Sequence, residues 1–160
     1  MTVTSEPWDV ERGAEIIAEH RSVEGPTLVI LHALQAAFGY VPEPAIPMVA
    51  SALNLSRAEV HGVFTFYHDF RKEPAGKHVL KLCRAEACQS MGCDRVIEHV
   101  EKRLGAKLGE TTADGSFSLD AVYCLGNCAL SPAVMLDGKP YGRFSPQVAD
   151  FLIDDVRRRA

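Results

Sequence analysis

The sequence has no hydrophobic stretch long enough to cross a membrane. Apolar runs such as residues 28–31 are far shorter than the roughly 20 residues that a membrane-spanning helix needs. Residues 1–6 also show no basic segment leading into an apolar one, which is the pattern of an export signal. We therefore expect a protein without a membrane span that resides in the cytoplasm.

A concentration of positive charge is missing as well. The formal net charge is −4, and the basic residues are scattered along the chain apart from Arg157, Arg158 and Arg159 near its end. Nucleic-acid-binding domains usually carry a basic patch or stripe, so we expect no nucleic-acid partner. The three arginines are expected to close a C-terminal helix, where cations interact favourably with the helix dipole.

Signatures of catalysis are absent too. The sequence contains no nucleophile–base pattern, no phosphate-binding glycine loop and no dinucleotide fingerprint. The chain has 160 residues, of which 47% are hydrophobic, and this suffices for a packed core. We expect a folded protein that has no catalytic residues and no substrate on its own.

What the sequence does contain is two close pairs of cysteines. Four residues separate Cys83 from Cys88, and three separate Cys124 from Cys128. Each pair can supply two thiolates from one segment, so two segments brought together complete a four-sulfur shell. Disulfides are disfavoured, because the expected compartment is reducing and the total of five cysteines is odd.

The spacing alone leaves three kinds of site open. Structural zinc usually takes cysteines two residues apart, whereas longer segments suit a binuclear iron–sulfur cluster in which each iron takes two thiolates. The six histidines form no close pair with either cysteine segment, which argues against a Rieske-type site. An iron–sulfur cluster is favoured over zinc and over redox-active thiols. The fifth cysteine, Cys93, is expected to be a small core residue in the helix that follows Cys88.

The first half of the chain is predicted to be entirely helical. Apolar residues recur at steps of three and four in four segments: about 9–21, a segment between Gly25 and Gly39, one ending near 53, and one starting at Ser56. Asp9 is a candidate cap, and Ser56 with Glu59 has the spacing of a capping box. The break at residues 74–76 predicts two domains, 1–75 and 76–160.

The second half alternates strands with helices. Residues 78–82 and 117–123 are predicted strands, each leading directly into a cysteine segment, and a helix is expected from Gln89 to Gly105. Asp137 and Gly138 predict a hairpin. A terminal helix follows Ser145, and its predicted apolar face consists of Val148, Phe151, Leu152 and Val156. The fold class is therefore α+β, with helices packed on a four-stranded sheet in the second half.

Residues 34–42 and 60–67, followed by the two cysteine pairs, resemble the thioredoxin-like 2Fe-2S subunit family of NADH dehydrogenases, which is the complex I 24 kDa subunit family. The resemblance covers residues 20–155. It implies an N-terminal helical bundle followed by a thioredoxin-like α/β domain with a four-stranded mixed sheet. By position, it also implies that one 2Fe-2S cluster is held by Cys83, Cys88, Cys124 and Cys128, and it assigns no role to Cys93.

Within that family, residues 83–92 are most similar to the gamma subunit of soluble, NAD-dependent, molybdenum-containing formate dehydrogenase. The resemblance implies an electron-transfer subunit that exchanges electrons with an FMN- and NAD(H)-binding partner subunit, and through it with a molybdenum-containing formate dehydrogenase subunit. The alternatives are the equivalent subunit of NADH:quinone oxidoreductase or of a hydrogenase diaphorase module, a free-standing ferredoxin that forms a homodimer, and a zinc-stabilised interaction module without a redox role.

Overall fold

The computed structural model of the chain describes residues 6–159, and these divide into two compact units, residues 6–75 and 76–159. Residues 1–5, on which the expected lack of an export signal largely rests, lie outside the described residues, as does Ala160. Within residues 6–159, no helix combines the length and the apolar character that a membrane span requires.

Four helices form the first unit, and their predicted caps are confirmed. The Asp9 carboxylate accepts a hydrogen bond from the Arg12 N–H at 2.8 Å. The Ser56 hydroxyl accepts from the Glu59 N–H at 3.2 Å, while the Glu59 carboxylate accepts from the Ser56 N–H at 2.8 Å, which completes the capping box. The helices are α1 (Val10–His20), α2 (Pro26–Phe38), α3 (Ala45–Leu53) and α4 (Arg57–Phe66).

The core of the first unit is built by the apolar faces of these helices. Gln35 also connects α2 to the segment after α4, because its side chain donates to the Asp69 carbonyl at 2.8 Å and accepts from the Arg71 N–H at 2.7 Å. The nitrogen and the oxygen of the Gln35 side-chain amide thus both bond the backbone of the segment that follows α4. The largest fully buried side chains of this unit are Ile30, Leu31, Leu34, Phe38, Val41 and Val49.

The second unit is a four-stranded mixed sheet with helices, as predicted. The sheet order is β2-β1-β3-β4, in which β1 and β2 are parallel and the other neighbours are antiparallel. Its elements are β1 (His78–Cys83), α5 (Glu86–Ser90), α6 (Cys93–Leu104), β2 (Phe117–Val122), a 3-10 helix (Cys128–Leu130), β3 (Val134–Leu136), β4 (Lys139–Tyr141) and α7 (Pro146–Arg159).

The predicted hairpin joins β3 to β4. Asp137 and Gly138 have φ values of 50° and 81°, so both adopt the left-handed conformation that two-residue hairpin turns require. The Asp137 carboxylate also accepts from the Val79 N–H at 2.8 Å and bonds His78 Nδ1 at 2.7 Å. The turn is therefore fixed to the start of β1.

The structure corrects the predicted helix from Gln89 to Gly105. Two helices occupy this region, and the first, α5, begins at Glu86, so the helical segment already includes Cys88. Gly92 separates α5 from α6 with a φ of 82°, a left-handed conformation that cannot continue a right-handed helix. The helix is therefore interrupted four residues after Cys88.

The predicted apolar face of α7 is also partly wrong. Val148 and Phe151 are 38% and 67% exposed, whereas Ala149, Leu152 and Ile153 are buried. Positions 149, 152, 153 and 156 follow the steps of three and four residues that mark one helical face. Val148 and Phe151 lie outside that stripe, and the sheet therefore does not cover them.

Candidate metal centre

The parallel pairing of β1 with β2 brings the two cysteine segments to one edge of the sheet. Cys83 is the last residue of β1 and is paired with Val122, the last residue of β2. The ladder continues one step further, since the Arg84 N–H donates to the Val122 carbonyl at 2.7 Å. Cys124 follows Val122 by two residues, so it emerges beside Cys83.

The inner pair consists of Cys83 and Cys88, which are only 3% and 2% exposed. One turn of α5 brings Cys88 back toward the end of β1, because the Cys88 N–H donates to the Ala85 carbonyl at 2.9 Å. The two thiols are within hydrogen-bonding reach of each other. Burial raises the pKa of the Cys83 thiol, although the N–H groups of Ala85 and Leu125 act in the opposite direction.

Cys88 has a different environment from Cys83. Burial acts to raise the pKa of the Cys88 thiol, but its hydrogen bonds with the Ser131 hydroxyl, the Ala133 N–H and the Cys83 thiol together hold it below its usual value. Of the two buried thiols, Cys88 is therefore the one whose surroundings favour the thiolate.

The outer pair consists of Cys124 and Cys128, both of which are exposed. Gly126 lies between them with a φ of 71°, and its N–H donates to Cys124 Sγ at 3.3 Å. A hydrogen bond with the Cys124 thiol, and then the charge of that thiol, raise the pKa of Cys128; the charge of Cys88 acts in the same direction. The inner and outer pairs are thus close enough for the charge of one to affect the pKa of the other.

The donor set fits an anionic binuclear cluster. Backbone N–H groups face three of the sulfur atoms: those of Ala85 and Leu125 for Cys83, that of Ala133 for Cys88, and that of Gly126 for Cys124. Such donors stabilise thiolates that carry negative charge. The sulfurs are arranged as two pairs, Cys83 with Cys88 and Cys124 with Cys128. Two pairs of thiolates match a core in which each iron takes two.

Cys93 is the first residue of α6 and is 3% exposed. It packs in the same hydrophobic core as Cys83 and Cys88. Burial, and after it the charges of Asp94 and Cys88, raise the pKa of the Cys93 thiol. These surroundings oppose a thiolate at this position.

Ser131 is a residue of this centre that the sequence patterns did not indicate. It is 8% exposed, and its Oγ lies 3.6 Å from Cys88 Sγ and donates to the Cys128 carbonyl at 2.7 Å. Its position three residues after Cys128 was the only signal, and it does not distinguish Ser131 from other loop serines. The contact with Cys88 exists only in the folded chain.

A cavity of about 470 Å³ lies away from the cysteines, at the opposite end of β1. Its lining includes His78, Asp137, Lys139, Tyr141 and Arg159 and contains none of the five cysteines. His78 and Asp137 are already bonded to each other there. The cavity is therefore separate from the candidate metal centre.

Comparison with known proteins decides between the kinds of site. Residues 13–157 match the family described as thioredoxin-like [2Fe-2S] ferredoxin. The chain belongs to this family. Its cofactor is accordingly a [2Fe-2S] cluster and its role is electron transfer, which favours the predicted cluster over the zinc alternative.

Two curated relatives illustrate where such chains occur. The chain is 38% identical over 131 residues to a subunit of the NADH-quinone oxidoreductase of Pseudomonas aeruginosa, covering 80% of this chain and 79% of the relative. It is also 38% identical over 123 residues to the HndA subunit of the NADP-reducing hydrogenase of Solidesulfovibrio fructosivorans, covering 77% and 72%. These names agree with the predicted complex I 24 kDa subunit family.

A solved structure supports the fold. A chain of an NAD+-reducing [NiFe]-hydrogenase in the air-oxidized state superposes with a TM-score of 0.71 at 22% sequence identity. The match covers 87% of this chain but only 24% of the hydrogenase chain, so this chain spans about a quarter of its length. This similarity agrees with the thioredoxin-like α+β fold that the family match confirms.

Proposed function

We propose that Cys83, Cys88, Cys124 and Cys128 are the four ligands of the cluster. The observation that carries the proposal is the register of Cys83 with Val122, because it delivers both cysteine pairs to one edge of the sheet. The backbone N–H groups directed at the sulfur atoms support it further. Cys93 is left outside the set because it begins α6, beyond the left-handed break at Gly92, and belongs to neither cysteine pair.

The two pairs have different tasks in this arrangement. The bound cluster supplies a carrier of one electron at a time. The buried inner pair shields one side of the site from water, whereas the exposed outer pair leaves the other side open. An electron partner is therefore expected to approach Cys124 and Cys128.

Single cysteine-to-serine variants of the four proposed ligands test the assignment, with Cys93→Ser as the matched control. Each protein is purified without oxygen, and its iron, sulfide, zinc, visible absorption and EPR signal after dithionite are measured. We expect each ligand variant to lose or alter the signal, and Cys93→Ser to retain it. A ligand variant with an unchanged cluster, or a Cys93→Ser variant that loses it, would contradict the assignment. A colourless wild-type protein containing zinc would contradict the cluster itself.

We further propose that the chain works as a subunit beside an FMN- and NAD(H)-binding partner in a cytoplasmic complex. The names of the relatives, a subunit of NADH-quinone oxidoreductase and a subunit of NADP-reducing hydrogenase, support this role. Exposed apolar side chains adjoin the cysteine segments: Met91 is 61%, Tyr123 73% and Leu130 41% exposed. Apolar surface of this kind often contacts another protein.

The parent complex that we propose is an NAD-dependent, molybdenum-containing formate dehydrogenase. The support is the similarity of residues 83–92 to the gamma subunit of that enzyme. The second candidate is a hydrogenase or an NADH:quinone oxidoreductase, which the names of the relatives favour.

Affinity purification of the tagged chain from its native cells distinguishes these complexes. The co-purifying subunits are identified by mass spectrometry, and the preparation is assayed for reduction of NAD+ by formate and by hydrogen and for reduction of quinone by NADH. We expect a molybdenum protein, an FMN protein and formate-dependent activity. Recovery of hydrogenase or quinone-reducing subunits without that activity would overturn the formate dehydrogenase proposal. Recovery of a homodimer alone would overturn the subunit role.

A further inference from the structure

Ser131 connects the inner cysteine pair to the outer one. Its Oγ lies 3.6 Å from the Sγ of Cys88, which sits in α5, and 2.7 Å from the carbonyl oxygen of Cys128, which begins the 3-10 helix. The side chain is buried, at 8% exposure. Water therefore competes little with these two partners.

The hydroxyl group has one hydrogen and two possible acceptors. While Cys88 is a thiol, its S–H can donate to Ser131 Oγ, and the serine hydrogen goes to the Cys128 carbonyl. A metal-bound thiolate has no proton to donate and carries negative charge. Hydrogen bonds to charged acceptors are stronger than those to neutral ones, so the hydroxyl then favours the sulfur.

We propose that Ser131 donates an O–H···S hydrogen bond to Cys88 in the loaded protein and thereby raises the reduction potential of the cluster. The inference rests on the ligand assignment proposed above. Reduction adds negative charge that spreads onto the thiolates, and a donor at the sulfur stabilises the reduced state more than the oxidised one. Ser131 acts through Cys88 and is a positioning residue.

The deciding comparison uses three variants of the intact, cluster-loaded chain. Ser131→Ala removes the hydroxyl, and Ser131→Thr keeps it. Ser90→Ala is the matched control, because Ser90 is also close to Cys88 in sequence but its hydroxyl donates to the Ala87 carbonyl, at 2.9 Å. If Ser131→Ala does not retain a cluster, Ser131→Gly, which also lacks the hydroxyl, takes its place.

The midpoint potential is measured by redox titration followed by visible absorption and EPR. We expect the equilibrium constant for reduction to fall about three- to tenfold in Ser131→Ala, which is about 30–60 mV because a tenfold change corresponds to 59 mV for one electron. Ser131→Thr and Ser90→Ala are expected to keep the wild-type value. In resonance Raman spectra, the shift of the Fe–S(Cys) bands in D₂O should be smaller in Ser131→Ala than in the wild type.

Two results would overturn the inference: a wild-type potential in Ser131→Ala, or an equal fall in Ser131→Thr. Both presuppose a bound cluster, so they leave the ligand assignment standing. A cluster that survives Cys88→Ser unchanged would instead refute the assignment.

Discussion

Gly142 follows β4 and packs against the segment that carries Cys128. A Cβ at this position would lie 2.9 Å from the Leu130 carbonyl oxygen, 3.1 Å from Asn127 Nδ2 and closer still to the Leu130 Cβ. Leu130 ends the 3-10 helix that Cys128 begins. Replacing Gly142 with alanine therefore pushes on the residues on either side of Cys128.

The size of the effect follows from these contacts. Carbon atoms pack at about 3.5–4.0 Å, so the segment from Cys128 to Leu130 must move by about 1 Å, which also disturbs the hydrogen bond from the Arg143 N–H to the Leu130 carbonyl. Overpacking of this kind costs about 1–3 kcal/mol. At roughly 2–4 °C per kcal/mol for a chain of this length, Tm should fall by about 2–12 °C.

Thermal unfolding of the cluster-loaded protein at one scan rate measures this change, together with the rate at which the visible absorption is lost at a fixed temperature. Gly62→Ala is the control, because Gly62 lies in α4 and a Cβ there meets no atom within 4 Å. That change should be neutral or stabilise the helix by up to about 1 kcal/mol. If Gly142→Ala keeps both the Tm and the cluster lifetime of the wild type, the packing argument is wrong.

Three further changes test the fold. Ser56→Ala removes the acceptor of the Glu59 N–H and should lower the free energy of unfolding by about 1 kcal/mol in urea titrations; an unchanged midpoint would show that the cap contributes nothing. Phe117→Ala leaves a cavity at a fully buried position in β2 and should lower the free energy of unfolding by about 3–5 kcal/mol, measured as a large drop in Tm. A loss below about 1 kcal/mol would contradict the packing of Phe117 in the core. Asp137→Ala leaves the Val79 N–H without its acceptor and should lower the free energy of unfolding by about 1–3 kcal/mol. Asp137→Asn should lower it less, because the amide retains an acceptor oxygen. Equal losses in these two variants would refute that reasoning.

Features that depend on neighbouring residues could be predicted from the sequence. The capping box of Ser56 and Glu59 and the turn at Asp137 and Gly138 are short-range arrangements, so their residue types and spacing were sufficient. The strands that lead to the two cysteine segments were predicted for the same reason, because β-rich runs stop at a defined residue.

Features that depend on distant contacts could not be predicted. The break between α5 and α6 was missed because a single glycine is tolerated within a helical pattern, and the left-handed conformation that Gly92 adopts is visible only in the fold. The contact of Ser131 with Cys88 joins residues 43 positions apart. Such a contact depends on the pairing of whole strands, which no local pattern specifies.

The parallel pairing of β1 with β2 also sets the order of events during synthesis. The first cysteine pair leaves the ribosome before the second, and the two meet only after β2 has docked on β1. Pairing strands that are far apart in sequence is slow, since the intervening chain must be ordered first. With the four ligands proposed above, a nascent chain exposes two incomplete thiol pairs until β2 has docked on β1, and the cluster can be delivered only after that step.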